Sequence, residues 1–312
     1  MTDKIQLLID SVSKVIVGKE NVIKYTICSL LCEGHILIED VPGVGKTQLV
    51  AALAKSVDGK FNRIQLTPDI MPSDILGFSI VNPKTYELEY RDGAAICNFL
   101  LADEINRASP KVQSSLLEVM EEHQISMDGV THELPKPFMV LATQNPVETY
   151  GTYYLPEAQM DRFFMKISMG YPSKSEEMII LDRTEKYNPI KNITEPVIHL
   201  EDVISLQKEV KKVNVSQQVK KYILDIVFAT RNDENITLGV SPRGSICLYK
   251  ASKSYAYING RDYVTPDDVK NMVYCVLSHR IILSPKGKTK YENTINYLKE
   301  VLARVEVPMS RV

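Results

Sequence analysis

The sequence has neither an excess of basic charge nor a long apolar run, and both absences narrow the classes of function. Its 312 residues include 37 Lys and Arg against 39 Asp and Glu, a net charge of −2. This excludes a globally basic nucleic-acid binder but not a local basic patch. The apolar stretches near Phe99–Ala102 and Phe138–Ala142 are far too short to span a bilayer. Met1–Asp10 lacks the basic start, apolar run and cleavage site of a signal peptide. We therefore expect a cytoplasmic protein with no membrane span.

Cysteine and histidine are sparse and show no metal-ligand spacing. The five cysteines include no CxxC pair, so we interpret them as reduced thiols. Cys28 and Cys32 could share a helix face, where core packing is favoured over metal binding. The five histidines are scattered along the chain.

The first half of the chain alternates short apolar strands with amphipathic helices. This alternation predicts an α/β fold with a mostly parallel sheet covered on both faces. A turn is expected at Asp92-Gly93, and a hairpin over Gln124–Glu133 that turns at Asp128-Gly129. The predicted strands are His35–Glu39, Phe61–Leu66, Asn98–Asp103 and Phe138–Thr143, and the predicted helices are Ile5–Val15, Asn21–Glu33, Lys46–Val57, Pro110–Glu121 and Glu157–Phe163.

Helical periodicity dominates after Tyr171-Pro172. We therefore divide the chain into an α/β core with an N-terminal helical segment, residues 1–171, and a smaller all-helical unit, residues 172–312. The predicted helices of the second unit are Ser175–Tyr187, Glu201–Lys212, Ser216–Arg231, Pro242–Asn259, Pro266–Ser278 and about Lys290–Arg304.

The segment Glu39–Thr47 has the pattern of a P-loop, a phosphate-binding turn between a strand and a helix. Lys46 would reach the β- and γ-phosphates, and the hydroxyl of Thr47 would hold Mg²⁺. Asp40 departs from the pattern, since a glycine is usual there. The alternative interpretation is a Gly-Pro loop without a ligand. The residues expected to surround the phosphates, through backbone N–H groups and the helix N-terminus, are Pro42, Gly43, Val44, Gly45, Lys46 and Thr47.

An acidic pair, Asp103 and Glu104, ends the apolar strand that starts at Asn98. Asp103 could hold Mg²⁺ through its water shell, and Glu104 could orient and deprotonate an attacking water. In isolation such a pair is more often a solvated strand end. Behind a P-loop, the catalytic interpretation is favoured.

Together these segments resemble the MoxR family of AAA+ ATPases, a helix-2-insert clade of P-loop NTPases. The resemblance covers nearly the whole chain, and it implies that Asp40 is an accepted variant of the loop. The segments that carry it, in family order, are Asp40–Thr47, Leu101–Arg107, Gln113–Glu122, Ala142–Pro146, Leu155–Phe163 and Ser241–Gly244.

The resemblance implies roles for three further polar residues. Asn145 resembles sensor 1 beside the attacking water, and its Asn-Pro turn is compatible with that role. Arg162 resembles the arginine finger that enters a neighbouring subunit's site; the alternative is a helix-end arginine paired with Asp161. Arg243 resembles sensor 2, carried by the helical unit onto the phosphates of the nucleotide; the alternative is a surface arginine at a helix N-terminus.

The resemblance also implies contacts around the base and the acidic pair. Val17 and Gly18 match the stretch beside adenine, although Lys19 stands where glutamine is common. Gln65 is expected to restrain Glu104. Arg107 is expected near the acidic pair, facing a subunit interface.

The hairpin Gln124–Glu133 resembles the helix-2 insert of the clade. It would contact a partner or line a central pore. Its decorating residues His123, Met127 and His132 are interpreted as solvated or packing groups, not metal ligands.

The resemblance implies ATP and Mg²⁺ as cofactors, a hexameric ring, and a protein client that carries a von Willebrand factor A domain. The favoured hypothesis is an ATP-driven, chaperone-like remodeller or maturation factor. The alternatives are a nucleotide-gated binding module with little turnover, and a chelatase-type or nucleic-acid-linked subunit. Lys211-Lys212 and Lys220-Lys221 are the only adjacent lysine pairs, so nucleic acid is disfavoured.

Overall fold

The computed structural model describes residues 2–146, 151–186 and 189–308. Residues 147–150, Tyr187 at the end of the predicted helix Ser175–Tyr187, and residues 309–312 at the end of the predicted second unit lie outside the described residues. In chain order the elements up to residue 167 are α1 (Thr2–Ser13), α2 (Glu20–Leu31), β1 (Ile36–Glu39), α3 (Lys46–Ser56), β2 (Phe61–Gln65), α4 (Pro72–Leu76), β3 (Gly77–Val81), β4 (Leu88–Asp92), β5 (Phe99–Asp103), α5 (Pro110–Glu122), β6 (Gln124–Met127), β7 (Val130–Glu133), β8 (Met139–Gln144), α6 (Glu157–Met160) and β9 (Met165–Ile167).

The C-terminal part is mostly helical. Its elements are α7 (Lys174–Lys186), α8 (Leu200–Val210), α9 (Gln217–Arg231), β10 (Ile236–Leu238), α10 (Pro242–Ile258), α11 (Pro266–Leu277), β11 (Ile282–Leu283), α12 (Pro285–Tyr291) and α13 (Thr294–Arg304). Short 3₁₀ turns cover Ile105–Arg107, Pro189–Asn192 and Ser278–Arg280.

A five-stranded sheet in the order β2-β5-β8-β1-β9 forms the centre of the α/β part. All four neighbouring pairs are parallel. The registers place Leu100 opposite Val140 and Ile36 opposite both Leu141 and Met165. The predicted parallel sheet is therefore confirmed.

The apolar residues of the central strands alternate between two cores, as the two-residue period of a strand requires. On β5, Phe99 and Leu101 join the core built with α1, α2 and α3, while Leu100 and Ala102 join the core built with α5. The first core continues into the C-terminal helices through residues such as Leu248 and Val273. Helices therefore cover both faces of the sheet, as the sequence predicts.

Parallel strands bring the segments that follow them to one edge of the sheet. The glycine-rich turn follows β1, the acidic pair ends β5, and Asn145 follows β8. The fold thus gathers at one edge the polar residues that lie far apart in the sequence.

The sequence-based prediction of a helix over Glu157–Phe163 is wrong in its second half. The helix α6 ends at Met160, and a three-residue strand, β9, follows. Met165 and Ile167 are buried against β1. A strand of three residues contains only one alternation of polar and apolar side chains, so the sequence shows no detectable strand period there.

Asp92-Gly93 does not connect the two strands of a hairpin. Asp92 ends β4, which pairs antiparallel with β3, and residues 82–87 form the connection. Gly93 lies so close to other backbone that an added Cβ would be 2.3 Å from the nitrogen of Gly77. The glycine therefore serves a close approach of two chain segments, not a tight turn.

The hairpin over Gln124–Glu133 is confirmed, with Met127 paired to Val130, but its interpretation as the helix-2 insert is wrong. It follows α5, the third helix counted from the glycine-rich turn. The hairpin β3–β4 follows α4, the second helix, and so occupies the insert position. The two hairpins meet where Tyr90 stacks on His132, with ring centroids 3.8 Å apart.

The last predicted helix, about Lys290–Arg304, corresponds to α13, which begins at Thr294, and the preceding helix α12 is not predicted from the sequence. The two helices are separated at Glu292, whose φ is +64°, and at Asn293, whose side chain accepts a hydrogen bond from the Asn296 N–H at 2.9 Å. Asn at an N-cap starts a new helix. Among the described helices, none has both the length and the apolar character needed to cross a bilayer.

Candidate functional site

The turn between β1 and α3 has the backbone geometry of a phosphate-binding loop. Gly43 and Gly45 adopt φ values of +82° and +93°, which other residues rarely tolerate. Helix α3 begins at Lys46, so its unpaired N–H groups face the loop. The Lys46 ammonium donates to the backbone oxygens of Asp40 at 3.1 Å and Val41 at 3.2 Å. In this state the lysine is held by its own loop.

The acidic pair is held in place by Thr143 on β8. Its hydroxyl donates to Asp103 Oδ1 at 2.8 Å and accepts from the Glu104 N–H at 2.9 Å. Glu104 has left-handed backbone angles, φ 59° and ψ 52°, which turn its side chain away from the strand direction. Thr143 therefore fixes both the carboxylate of one residue and the backbone of the next.

Two arginines of the same chain pair with these carboxylates. Arg63 on β2 contacts Asp103 Oδ2 through its Nε at 2.9 Å and through an NH2 group at 2.8 Å. Arg107 contacts Glu104 Oε2 at 3.2 Å. The side chain of Asp103 is only 10% exposed, and a carboxylate so buried requires a partner. Gln65 accepts from Arg63 at 3.4 Å; a hydrogen bond from Gln65 to Glu104, as expected from the sequence, is not among those of the described residues.

A cavity of about 340 Å³, here called the P-loop cavity, joins these groups. It brings five of the six predicted phosphate-loop residues, all but Val44, together with Asp103, Glu104 and Asn145. Its lining residues are Pro42, Gly43, Gly45, Lys46, Thr47, Gln48, Arg63, Gln65, Asp103, Glu104, Thr143 and Asn145.

A second cavity of about 510 Å³, here called the base cavity, adjoins the P-loop cavity and shares Gly43, Gly45 and Gln48 with it. Val17, Val44 and Met169 are among its lining residues. Gly18 adjoins it with φ +71°, and the Glu176 carboxylate approaches so closely that a Cβ on Gly18 would clash with it. Lys19, which also lines the cavity, donates to the Tyr171 backbone oxygen at 2.9 Å. The lysine is thus engaged with the backbone after β9.

Arg162 and Arg243 lie together outside the P-loop cavity. Both pair with Glu121 near the end of α5: an NH1 group of Arg162 lies 2.7 Å from Oε2, and Arg243 contacts Oε1. We call these three residues the arginine cluster. They line a further cavity of about 380 Å³ that shares no lining residue with the P-loop cavity. Arg243, expected at the phosphates, thus lies outside the P-loop cavity of its own chain.

Asp161 supports the arginine cluster rather than pairing with Arg162. Its carboxylate accepts from Arg280 Nε at 2.7 Å and from the hydroxyl of Ser241, the N-cap of α10, at 2.8 Å. The side chain of Arg280 is 1% exposed, so its charge is compensated within the protein. Asp161 thereby ties the α6 region, which carries Arg162, to the start of α10, which carries Arg243.

Comparison with known proteins agrees with this geometry. Residues 35–165 match the family described as "ATPase family associated with various cellular activities (AAA)", and residues 228–296 match the AAA lid domain. Protein YeaC of Bacillus subtilis is 50% identical over 97% of this chain and 94% of its own length. Chaperone MoxR1 of Mycobacterium tuberculosis is 42% identical over 95% of this chain and 80% of its own. The chain belongs to the MoxR family of AAA+ ATPases.

A solved structure supports the same fold assignment. The crystal structure of a candidate ATPase from Cytophaga hutchinsonii superposes with a TM-score of 0.91 and 40% identity, covering 99% of this chain and 96% of that one. The AAA+ core followed by a helical lid is thus confirmed, and membership of an ATPase family implies nucleotide binding.

Sequence reasoning missed Arg63, Thr143 and Glu121 as parts of the MoxR-type site. Arg63 and Gln65 are two residues apart on β2 and so share a face of the strand. Gln65 pairs in register with Asp103, which would have pointed to Arg63. Glu121 carries no local signal, because its partners come from α10 and from the end of α6.

Proposed function

We propose that the protein binds ATP with Mg²⁺ at the P-loop cavity and hydrolyses it to ADP and phosphate within a ring of identical subunits, in the hexameric form that the family resemblance implies. One observation carries the proposal. Lys46, Glu104 and Asn145 line one cavity, whereas Arg162 and Arg243 pair with Glu121 outside it. Neither Arg162 nor Arg243 therefore reaches the cavity of its own chain, and in the proposed ring a neighbour would supply the arginine finger.

The residues present suit Mg²⁺. The hydroxyl of Thr47 and the carboxylate of Asp103 are hard oxygen donors lining the same cavity. Bound there, Mg²⁺ would supply positive charge against the phosphates. Asp103 Oδ2 now pairs with Arg63, so this guanidinium must move or share the oxygen when the cation is present.

The remaining roles follow from position. The backbone N–H groups of the turn and Lys46 bind the phosphates, and the base lies in the base cavity beside Val17 and Gly18. Glu104 accepts the proton of the attacking water, which Asn145 holds in line. Arg162 and Arg243, contributed together by the neighbouring subunit, stabilise charge on the transferred phosphoryl group. Residues 1–171 would act as the core and residues 172–312 as the lid.

The experiment is ATP hydrolysis per subunit measured as protein concentration rises. Activity is expected to rise steeply with concentration. Arg162→Ala and Arg243→Ala are each expected to lower kcat, by on the order of 10³-fold for the finger, while a fluorescent ATP analogue still binds. Lys270→Ala, which removes an exposed cation from α11, is the control and should behave as the original protein. Activity that is independent of concentration and retained in Arg162→Ala would overturn the proposal.

We further propose that the ring works on a protein client, with a von Willebrand factor A domain protein as the partner class. The support is the name of the chaperone relative in M. tuberculosis and the family resemblance. The five free cysteines fit a reducing cytoplasm. ATP hydrolysis should increase when such a partner is added and stay unchanged with double-stranded DNA. The reverse pattern would favour a nucleic-acid motor.

A further inference from the structure

Asp40 stands where a P-loop usually has glycine, and its carboxylate is turned away from the P-loop cavity. The residue is 7% exposed. Its Oδ2 accepts from the backbone N–H groups of Met169 at 2.5 Å and Gly170 at 2.8 Å, and from the hydroxyl of Ser168 at 3.1 Å. Its Oδ1 accepts from the Val41 N–H, within the loop, at 3.1 Å. An acidic residue beside a phosphate site is tolerable here, because three donors to its carboxylate come from the segment after β9.

The backbone of Asp40 contacts both Lys46 and the end of β8. Its carbonyl accepts from the Lys46 ammonium at 3.1 Å. Its N–H donates to the backbone oxygen of Gln144 at 3.1 Å, one residue before Asn145. Asp40 therefore joins three parts of the protein: the P-loop lysine, the end of β8 and the segment after β9. A glycine has no side chain with which to make the third connection.

The segment Ser168–Gly170 leads from β9 to the first lid helix, α7, and forms part of the base cavity. Met169 lines that cavity, with its Cε 3.8 Å from the position of a Cβ on Gly45. Pro172, two residues before α7, and Ile180, within α7, line the same cavity. A shift of Ser168–Gly170 therefore moves a wall of the base cavity and the start of the lid together.

We propose that Asp40 is a positioning residue that couples phosphate binding at Lys46 to the placement of Ser168–Gly170 and α7. The inference rests on the proposed function, since it assumes nucleotide at the P-loop. A phosphate draws the Lys46 ammonium away from the carbonyls of Asp40 and Val41. The backbone at Asp40 then relaxes, and its carboxylate carries the change to the three donors that follow β9.

If Asp40 served only to hold the structure together, its hydrogen bonds would be equivalent to a second attachment between the β1 and β9 regions. The neighbouring Glu39 offers a matched control, because its carboxylate pairs with Lys166 of β9 at 2.7 Å. Glu39→Gln weakens the attachment of β9 without touching the donors of residues 168–170. Asp40→Gly restores the usual P-loop residue, and Asp40→Asn keeps an acceptor oxygen but removes the charge.

The experiment is hydrogen–deuterium exchange of peptides spanning residues 165–180, with and without Mg²⁺ and a slowly hydrolysed ATP analogue, alongside the analogue's Kd. In the original protein and in Glu39→Gln, the nucleotide should slow exchange at these peptides by about threefold or more. Asp40→Gly should still bind the analogue yet show the same exchange with and without it. Asp40→Asn should show less than about half of the slowing.

The possible results distinguish the coupling role of Asp40 from the proposed function. If Asp40→Gly keeps the full nucleotide-dependent slowing, or if Glu39→Gln loses it equally, the coupling role is overturned. If Asp40→Gly does not fold, Asp40→Asn decides by the same criterion. If the original protein binds the analogue without any change in exchange, the coupling fails while the proposed function stands. If it binds no analogue at all, the proposed function itself fails.

Discussion

At the scale of single residues, each acidic side chain of the P-loop cavity is neutralised within its own chain. Arg63 makes two contacts to Asp103 Oδ2, and Arg107 makes one to Glu104. The side chain of Asp103 is more buried than that of Glu104, 10% against 27% exposed, but both arginines are well exposed, at 50% for Arg63 and 41% for Arg107. Solvent therefore screens both ion pairs. If Asp103 holds Mg²⁺ as proposed, Arg63 must move or share Oδ2 with the cation.

Thr143 offers a residue-scale test of the acidic pair. Thr143→Val keeps the shape of the side chain but removes both of its hydrogen bonds, leaving a buried oxygen of Asp103 and the N–H of Glu104 unpaired. Because Glu104 loses its anchor, we expect kcat to fall by roughly 10- to 100-fold with little change in nucleotide Kd. Steady-state hydrolysis and equilibrium binding measure the two effects. Thr143→Ser restores the hydroxyl and should recover most of the activity; equal losses in Val and Ser variants would contradict the role assigned to it.

At the scale of elements, His35 links β1, α5 and β8. Its Nε2 lies 2.8 Å from the Met120 oxygen, and its Nδ1 accepts from the Val140 N–H at 3.0 Å. These partners fit the neutral ring with the proton on Nε2. Burial lowers the pKa of His35 from 6.5 to about 4, with His123 contributing in the same direction.

This pKa shift predicts a pH dependence of stability. Between pH 6.5 and about 4 the unfolded chain binds a proton at His35 that the folded protein does not, so the stabilising effect of the neutral ring is present above pH 6.5 and is lost as pH falls. The difference in unfolding free energy between the original protein and His35→Gln should shrink by on the order of 3 kcal/mol across that window. Urea denaturation at several pH values measures it. A difference that stays constant with pH would mean that His35 titrates normally.

The elements that could be predicted from the sequence are those with a local signal. The P-loop, the acidic strand end and the hairpin Gln124–Glu133 combine turn residues with clear periodicity, and all three lie where expected. The strand β9 and the hairpin β3–β4 were missed. β9 is too short to show a period. In β3–β4, apolar residues such as Phe78 and Leu88 are exposed, so apolar and polar positions do not correspond to buried and exposed ones.

At the scale of the whole molecule, the position of the lid decides what Arg243 can do. Its role was inferred from a sequence motif, but its location depends on how α10 packs against α2 and on the buried contact of Arg280 with Asp161. No local pattern encodes that docking. The result is an arginine cluster assembled from the core and the lid at a distance from the subunit's own phosphate site.

Because the arginine cluster lies away from the P-loop cavity of its own chain, we propose that each catalytic site combines residues of two subunits. Two variants, Glu104→Gln and Arg162→Ala, should each be inactive alone, because the first lacks the proposed base and the second lacks the proposed finger. If a neighbour completes the site, mixing them lets an intact Glu104 face an intact Arg162.

The most direct measurement is therefore ATP hydrolysis by a 1:1 mixture of these two variants, assembled together under subunit exchange. We predict recovery of roughly a quarter of the original activity, since half of the sites have Glu104 and half of those face a neighbour with Arg162. The hydrolysis rate of each variant assembled alone provides the baseline. A mixture no more active than the separate variants, although it assembles into the same rings, would contradict a site shared between subunits.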